Sequence, residues 1–87
     1  MKGTIIMKDT KDFSWEVVEA LGNFSEERKN YTRELNLISW NGAKPVYDIR
    51  GWRIGKDGIK HPLKGMSLNR EELMALRDLL LSIDLEV

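Results

Sequence analysis

Hydropathy alternates at every second position through 31-YTRELNLISW-40, with Leu35 and Leu37 on one side and Glu34, Asn36, Ile38 and Trp40 on the other. A period of two is the signature of a β-strand. The run 46-VYDIRGWRI-54 alternates again, placing Val46, Asp48, Arg50 and Trp52 on one face and Tyr47, Ile49 and Gly51 on the other. Between the two lies 41-NGAKP-45, whose Asn-Gly pair favours a two-residue hairpin turn because both residues tolerate positive φ. Pro45 lacks an N–H and belongs at the margin of the second strand.

Two flanking segments are less regular. In 15-WEVVEALGNF-24 the spacing of Trp15, Val18 and Leu21 would suit a helix, but the Val-Val pair and the interior Gly22 lower helix propensity. The segment therefore reads as a strand bent near Gly22. The polar run 24-FSEERKN-30 reads as a connection, and 55-GKDGIKHPLKG-65 as a long loop broken by glycines and Pro62, ahead of a short strand 65-GMSL-68. Residues 1–12 are short, mixed and unpatterned, a loose arm or at most a short edge strand outside a domain of residues 13–87.

Asn69 is a good N-cap, and Glu72 three residues on completes a capping box with acidic residues at the positive end of the helix dipole. The predicted helix runs from about Arg70 to about Ile83 and is about 20 Å long. Its apolar positions, from Leu73 through Ile83, cover more than the ~100° stripe that one sheet requires. Such excess points to a second copy of the chain, with a twofold dimer the commonest solution. The fold class is then α+β: a four-stranded antiparallel sheet followed by a C-terminal helix that covers the Leu35, Leu37, Tyr47 and Ile49 face. The other face, with Asn36, Ile38, Trp40, Arg50 and Trp52, is left for solvent or a ligand.

Length adds a reason to dimerise. A chain of 87 residues buries only about 60–65% of the surface its unfolded form exposes. Cysteine is absent, which fits a reducing, cytoplasmic setting. The longest apolar run, 79-LLLSI-83, is far short of the ~20 residues that span a bilayer, and the first twelve residues have no apolar core long enough for a secretory signal. A soluble intracellular protein with no membrane partner is expected.

Formal net charge is zero, but it is segregated. Lys44, Arg50, Arg53, Lys56, Lys60 and Lys64 against Asp48 and Asp57 leave residues 44–64 at +4, while residues 69–87 carry −3. A segregated field can draw a polyanion to one surface. Aromatic and basic side chains on an open antiparallel sheet suit single-stranded nucleic acid, since bases stack on Trp while Lys and Arg neutralise phosphates. A duplex reader would more typically offer a basic helix, and here the helix is net acidic. His61 is the one histidine and stands in a loop, and Glu71 with Glu72 is explained by the helix start. With no nucleophile–base pair, metal-ligand set or phosphate loop, no enzyme, cofactor, metal or small-molecule substrate is expected. The alternatives to single-stranded DNA are RNA and a partner's peptide laid on the sheet.

The block 34-ELNLISWNGAKPVYDIRGW-52, followed by 64-KGMSLNREELMALRDLL-80, resembles the positive-cofactor-4 family of transcriptional coactivators, and in particular its short bacterial members. ELN, SWN, P-YDIR-W and KG-SL in that order carry the resemblance, which covers about residues 13–87. It implies a curved four-stranded sheet with a helix, homodimerised through that helix, binding single-stranded DNA with little sequence preference. The expected role is in transcription regulation or in replication and repair, with the transcription machinery as a further partner and a cytoplasmic or nucleoid location. By matched position it implies DNA contacts from Lys44, Arg50 and Lys64. The family's turn aromatic falls at Trp40 or Asn41, and its aromatic pair after DIR is replaced here by Trp52 and Arg53. Together with the residues read above, the expected interface comprises Asn36, Trp40, Lys44, Arg50, Trp52, Arg53, Lys56, Lys60 and Lys64, and the expected dimer contacts are Leu76, Leu80 and Ile83.

Overall fold

The computed structural model describes residues 6–10 and 13–85, with side chains from residue 13 onward. Five strands form one antiparallel sheet in sequence order: β1 (Ile6–Thr10), β2 (Phe13–Asn23), β3 (Tyr31–Trp40), β4 (Val46–Ile54) and β5 (Lys60–Leu68). Helix α1 (Arg70–Ser82) follows. The four expected strands are thus β2 to β5, and β1 extends the sheet along the edge of β2. The expectation of a flexible arm over residues 1–12 lies partly outside the described residues.

Local chemistry explains most boundaries. Asn41 and Gly42 both take positive φ, 52° and 76°, so the β3–β4 turn uses the conformation that Asn-Gly favours. Asn69 accepts from Glu72 N at 2.8 Å while Glu72 Oε1 accepts from Asn69 N at 2.9 Å, closing the capping box. The loop expected over residues 55–65 is shorter than its composition suggests. Lys60 to Leu68 pair with β4, and Pro62 sits opposite Trp52 beside a register shift. Pro62 is tolerated because β5 is an edge strand and the ladder is already interrupted there.

The sheet is strongly coiled. Trp15 is paired with Trp40 and Trp52 with Thr32, eight positions apart along β3, which in a flat sheet is about 26 Å. The Trp15 and Trp52 rings nevertheless lie 6.3 Å apart. Only a sheet that curls over this face can bring them together, and register shifts at Val17/Glu19, Ala20/Gly22 and Arg50/Trp52 supply local bends. Trp15, Ile38 and Trp52 form the buried core, with Phe13, Val17 and Trp40 packed against it.

This geometry corrects the assignment of faces. The parity of the strands is as read, but the face carrying Asn36, Ile38 and Trp52 is the concave interior rather than an open platform. Trp52 is 1% exposed and Asn36 equally buried. Leu35, Leu37, Tyr47 and Ile49 are only half-buried. The helix does not cover them with a buried interface: it touches mainly β4 and β5, and none of its residues is buried. The reason is the coil itself, which lets the sheet enclose one of its own faces without a second layer.

Gly65 makes a close approach at β5. A Cβ there would overlap the Arg50 Cβ and the Ile49 carbonyl oxygen, so the KG pair needs its glycine. Removing the buried indole in Trp52→Ala should cost about 3–5 kcal/mol, a large fraction of the ~5–15 kcal/mol typical of a domain. Urea unfolding followed by circular dichroism should show a lost or strongly lowered transition for Trp52→Ala and a lowered midpoint for Gly65→Ala.

Candidate nucleic-acid interface

Arg50 and Asp48 stand two positions apart on β4 and therefore on one face of the sheet. Arg50 Nε donates to Asp48 Oδ1 at 2.7 Å and Nη2 to Oδ2 at 2.8 Å, a bidentate pair. Ser67, opposite Asp48 on β5, donates to Oδ2 at 2.9 Å, and Arg50 Nη1 donates to the Leu63 carbonyl at 3.0 Å. The Asp48 side chain is 0% exposed and that of Arg50 17%. Held in this way, the guanidinium lies 4.6 Å from the centre of the Trp40 ring. A buried carboxylate fixes a cation flat against an aromatic face.

A second polar cluster occupies the same concave face nearer the β3 start. Glu34 Oε2 accepts from Lys60 Nζ at 2.6 Å and Thr32 Oγ1 at 2.6 Å, and Oε1 accepts from Asn36 Nδ2 at 3.1 Å. Burial alone would raise the Glu34 carboxyl, but the hydrogen bonds from Lys60, Thr32 and Asn36, with the Lys60 charge, outweigh it and hold the group below its ordinary value.

The predicted interface residues are thus sorted by tertiary structure. Lys44, Arg53, Lys56 and Lys64 are exposed and have no ion-pair partner among the described residues. Lys60 is exposed but committed to Glu34. Arg50 is committed to Asp48, and Trp40 is half-buried at the edge of the core. Asn36 and Trp52 are interior and present no surface, a correction to their expected place on an open face. The indole nitrogens of Trp40 and Trp52 are buried with no partner among the described residues.

Other groups were missed by sequence reading. Phe13 stacks near Trp40 with ring centroids 5.9 Å apart and planes 22° from parallel. The pairing of Trp15 with Trp40 across two strands signals this contact only once the register is known. Arg28 and Arg33 both approach the Tyr31 ring, at 5.3 and 5.8 Å, and Arg33 Nε donates to the Tyr31 hydroxyl at 2.9 Å. Asp48 and Ser67 hold Arg50, and a shared parity with Arg50 is the one signal of Asp48 that the sequence carried.

A coiled antiparallel sheet with a terminal helix, exposed cations and an aromatic–guanidinium stack at its opening defines an α+β module fitted to an anionic, ring-bearing ligand rather than to catalysis. Residues 28–79 match the family model described as Transcriptional Coactivator p15 (PC4). The chain belongs to that family, which is a nucleic-acid-binding and non-enzymatic one. An uncharacterized protein of Treponema pallidum (strain Nichols) is 43% identical over 75 residues, covering 86% of this chain and 85% of that one. The matched segment begins in the β2–β3 connection, so β1 and β2 lie outside it. No helix among the described residues is long and apolar enough to cross a membrane.

Because the folded pKa of Glu34 is lowered, its contribution to stability is full above its unfolded value near 4.5 and is lost as pH falls through the folded value. Urea midpoints measured from about pH 6 to about pH 3 should fall more steeply for the wild type than for Glu34→Gln, which should already be the less stable protein at the upper end. Parallel curves would show that this carboxylate carries no acid-linked stability.

Proposed function

We infer that the protein is a homodimeric single-stranded DNA-binding protein with little sequence specificity, acting in transcription regulation or in replication and repair. The observation that carries this reading is the set of exposed cations without carboxylate partners, Lys44, Arg53, Lys56 and Lys64, all on the β3–β4–β5 segment that also bears the Trp40–Arg50 stack. These four take phosphates, and membership of the PC4 family supports the same ligand. Phosphate contacts of this kind carry no base sequence information, which accounts for the low specificity. A cytoplasmic or nucleoid location and contact with the transcription machinery follow from that role.

Dimerisation is supported by the helix. Leu79, Leu80, Leu81 and Ile83 are 44–80% exposed, and Leu85 beyond the helix is likewise exposed. Contiguous apolar exposure on this scale marks an interaction surface. With Leu76, half-buried, these side chains form the contact with a second copy, and the acidic residues beside them keep that surface away from DNA.

Titration of intrinsic fluorescence with a ~20-nucleotide single strand, its duplex and the equivalent RNA tests the ligand. The single strand should quench most strongly, and each phosphate neutralised should add ~0.7 to the slope of log K against log salt. Lys44→Ala and Lys64→Ala should each lower that slope by about one such step. Equal affinity for duplex, or no binding at low salt, would overturn the reading; tighter binding of RNA would reassign the ligand. In sedimentation the wild type should run at twice the 10.1 kDa chain mass, and Leu80→Asp should run as a single chain with its sheet intact.

A further inference from the structure

Where Trp40 comes to the end of the concave face, a cavity of about 320 Å³ opens, lined by Phe13, Trp40, Arg50 and Ser67. Three of its four lining side chains present flat π surfaces. Phe13 and Trp40 are 22° from parallel, and the Arg50 guanidinium lies over the Trp40 ring. The opening is held in place from both sides. Ser14 N donates to Asn41 Oδ1 at 2.8 Å and Asn41 N donates to the Ser14 carbonyl at 2.8 Å, tying the start of β2 to the β3–β4 turn. Phe13 is further fixed by pairing with Thr10 of β1.

Charge decides what such a cavity takes. The Arg50 cation is compensated by a fully buried carboxylate in bidentate contact, and a third N–H is used on the Leu63 carbonyl. A phosphate would have to compete with Asp48 at short range for a guanidinium that is already paired. An uncharged planar ring meets no such competition, gaining stacking on Phe13 and Trp40 with a cation–π component from Arg50. The four unpaired cations remain for the backbone.

We propose that Phe13, Trp40 and Arg50 form a base-stacking subsite for one nucleobase of the bound strand, and that Arg50 acts there as a planar stacking group rather than as a phosphate contact. The proposal rests on the single-strand reading above and assigns a role to Phe13, which lies outside the segment matched to the family. Asp48 and Ser67 are positioning residues that hold the guanidinium plane.

The test uses the full chain, a ~20-nucleotide single strand carrying 2-aminopurine, and a strand of the same length made of abasic units. Phe13→Leu keeps apolar bulk but removes the ring, and Arg50→Lys keeps a cation beside Asp48 but removes the plane. Each should weaken binding of the normal strand by about 5- to 150-fold, the range of one lost base stack. The salt slope should stay unchanged, 2-aminopurine quenching should be lost, and affinity for the abasic strand should not move. Circular dichroism and urea midpoints confirm that each variant is folded before binding is compared. If Arg50→Lys leaves affinity intact, or if Phe13→Leu weakens abasic and normal strands alike, the subsite is overturned while the single-strand reading stands. If the wild type binds neither strand at low salt, the underlying reading fails and takes the subsite with it.

Discussion

The contact between Trp15 and Trp52 is the constraint on which the rest of the structure depends. Register alone would leave these side chains far apart on a flat sheet, yet their rings are 6.3 Å from one another. Burying large indoles on Ile38 is the main apolar gain open to a chain with so few buried residues, and the sheet must coil to achieve it. Once coiled, the sheet has an inside and an outside, and every later question of which side chains can meet a ligand follows from that division.

The same enclosure explains the polar chemistry. Glu34, Asn36 and Asp48 are carried into the concave face by strand parity, where an unpaired carboxylate would be costly. Each carboxylate is therefore satisfied by a neighbouring strand or by its own: Glu34 by Lys60, Thr32 and Asn36, Asp48 by Arg50 and Ser67. The consequence for function is a division of labour among the cations. Two are drawn into internal pairs, and of those in residues 44–64 the others stay free to meet an external anion. Formal charge along the sequence overstates the positive surface by the two that are already paired.

The helix presents the opposite situation, since its start is fully specified and its destination is not. Asn69 and Glu72 form their reciprocal hydrogen bonds within one turn, so the boundary was legible directly from the residues. Its apolar width was legible too, as an excess over what one sheet could cover. The face it would cover was not, because the coil had already provided the sheet with an interior. Similarly, the alternation of 31–40 and 46–54 gave both strands and their turn, whereas the 60–64 part of β5 was hidden by Pro62 and lysines that only an edge position tolerates. Trp52 was read onto an open face for the same reason: parity assigns a side chain to a face but does not say whether that face is exposed.

What the sequence determined by itself was local and periodic. The strand faces, the Asn-Gly turn, the helix cap, the segregation of charge and the family motifs all depend on residues close together in the chain, whose preferences are fixed by short-range sterics and hydrogen bonding. What only the tertiary structure decided was the sign of the curvature and hence which face is buried. With it came which cations are internally paired, and the meeting of Phe13 with Trp40 and Arg50. Those outcomes depend on contacts between strands that the sequence places far apart, and on a global closure to which each bulge adds only a small bend.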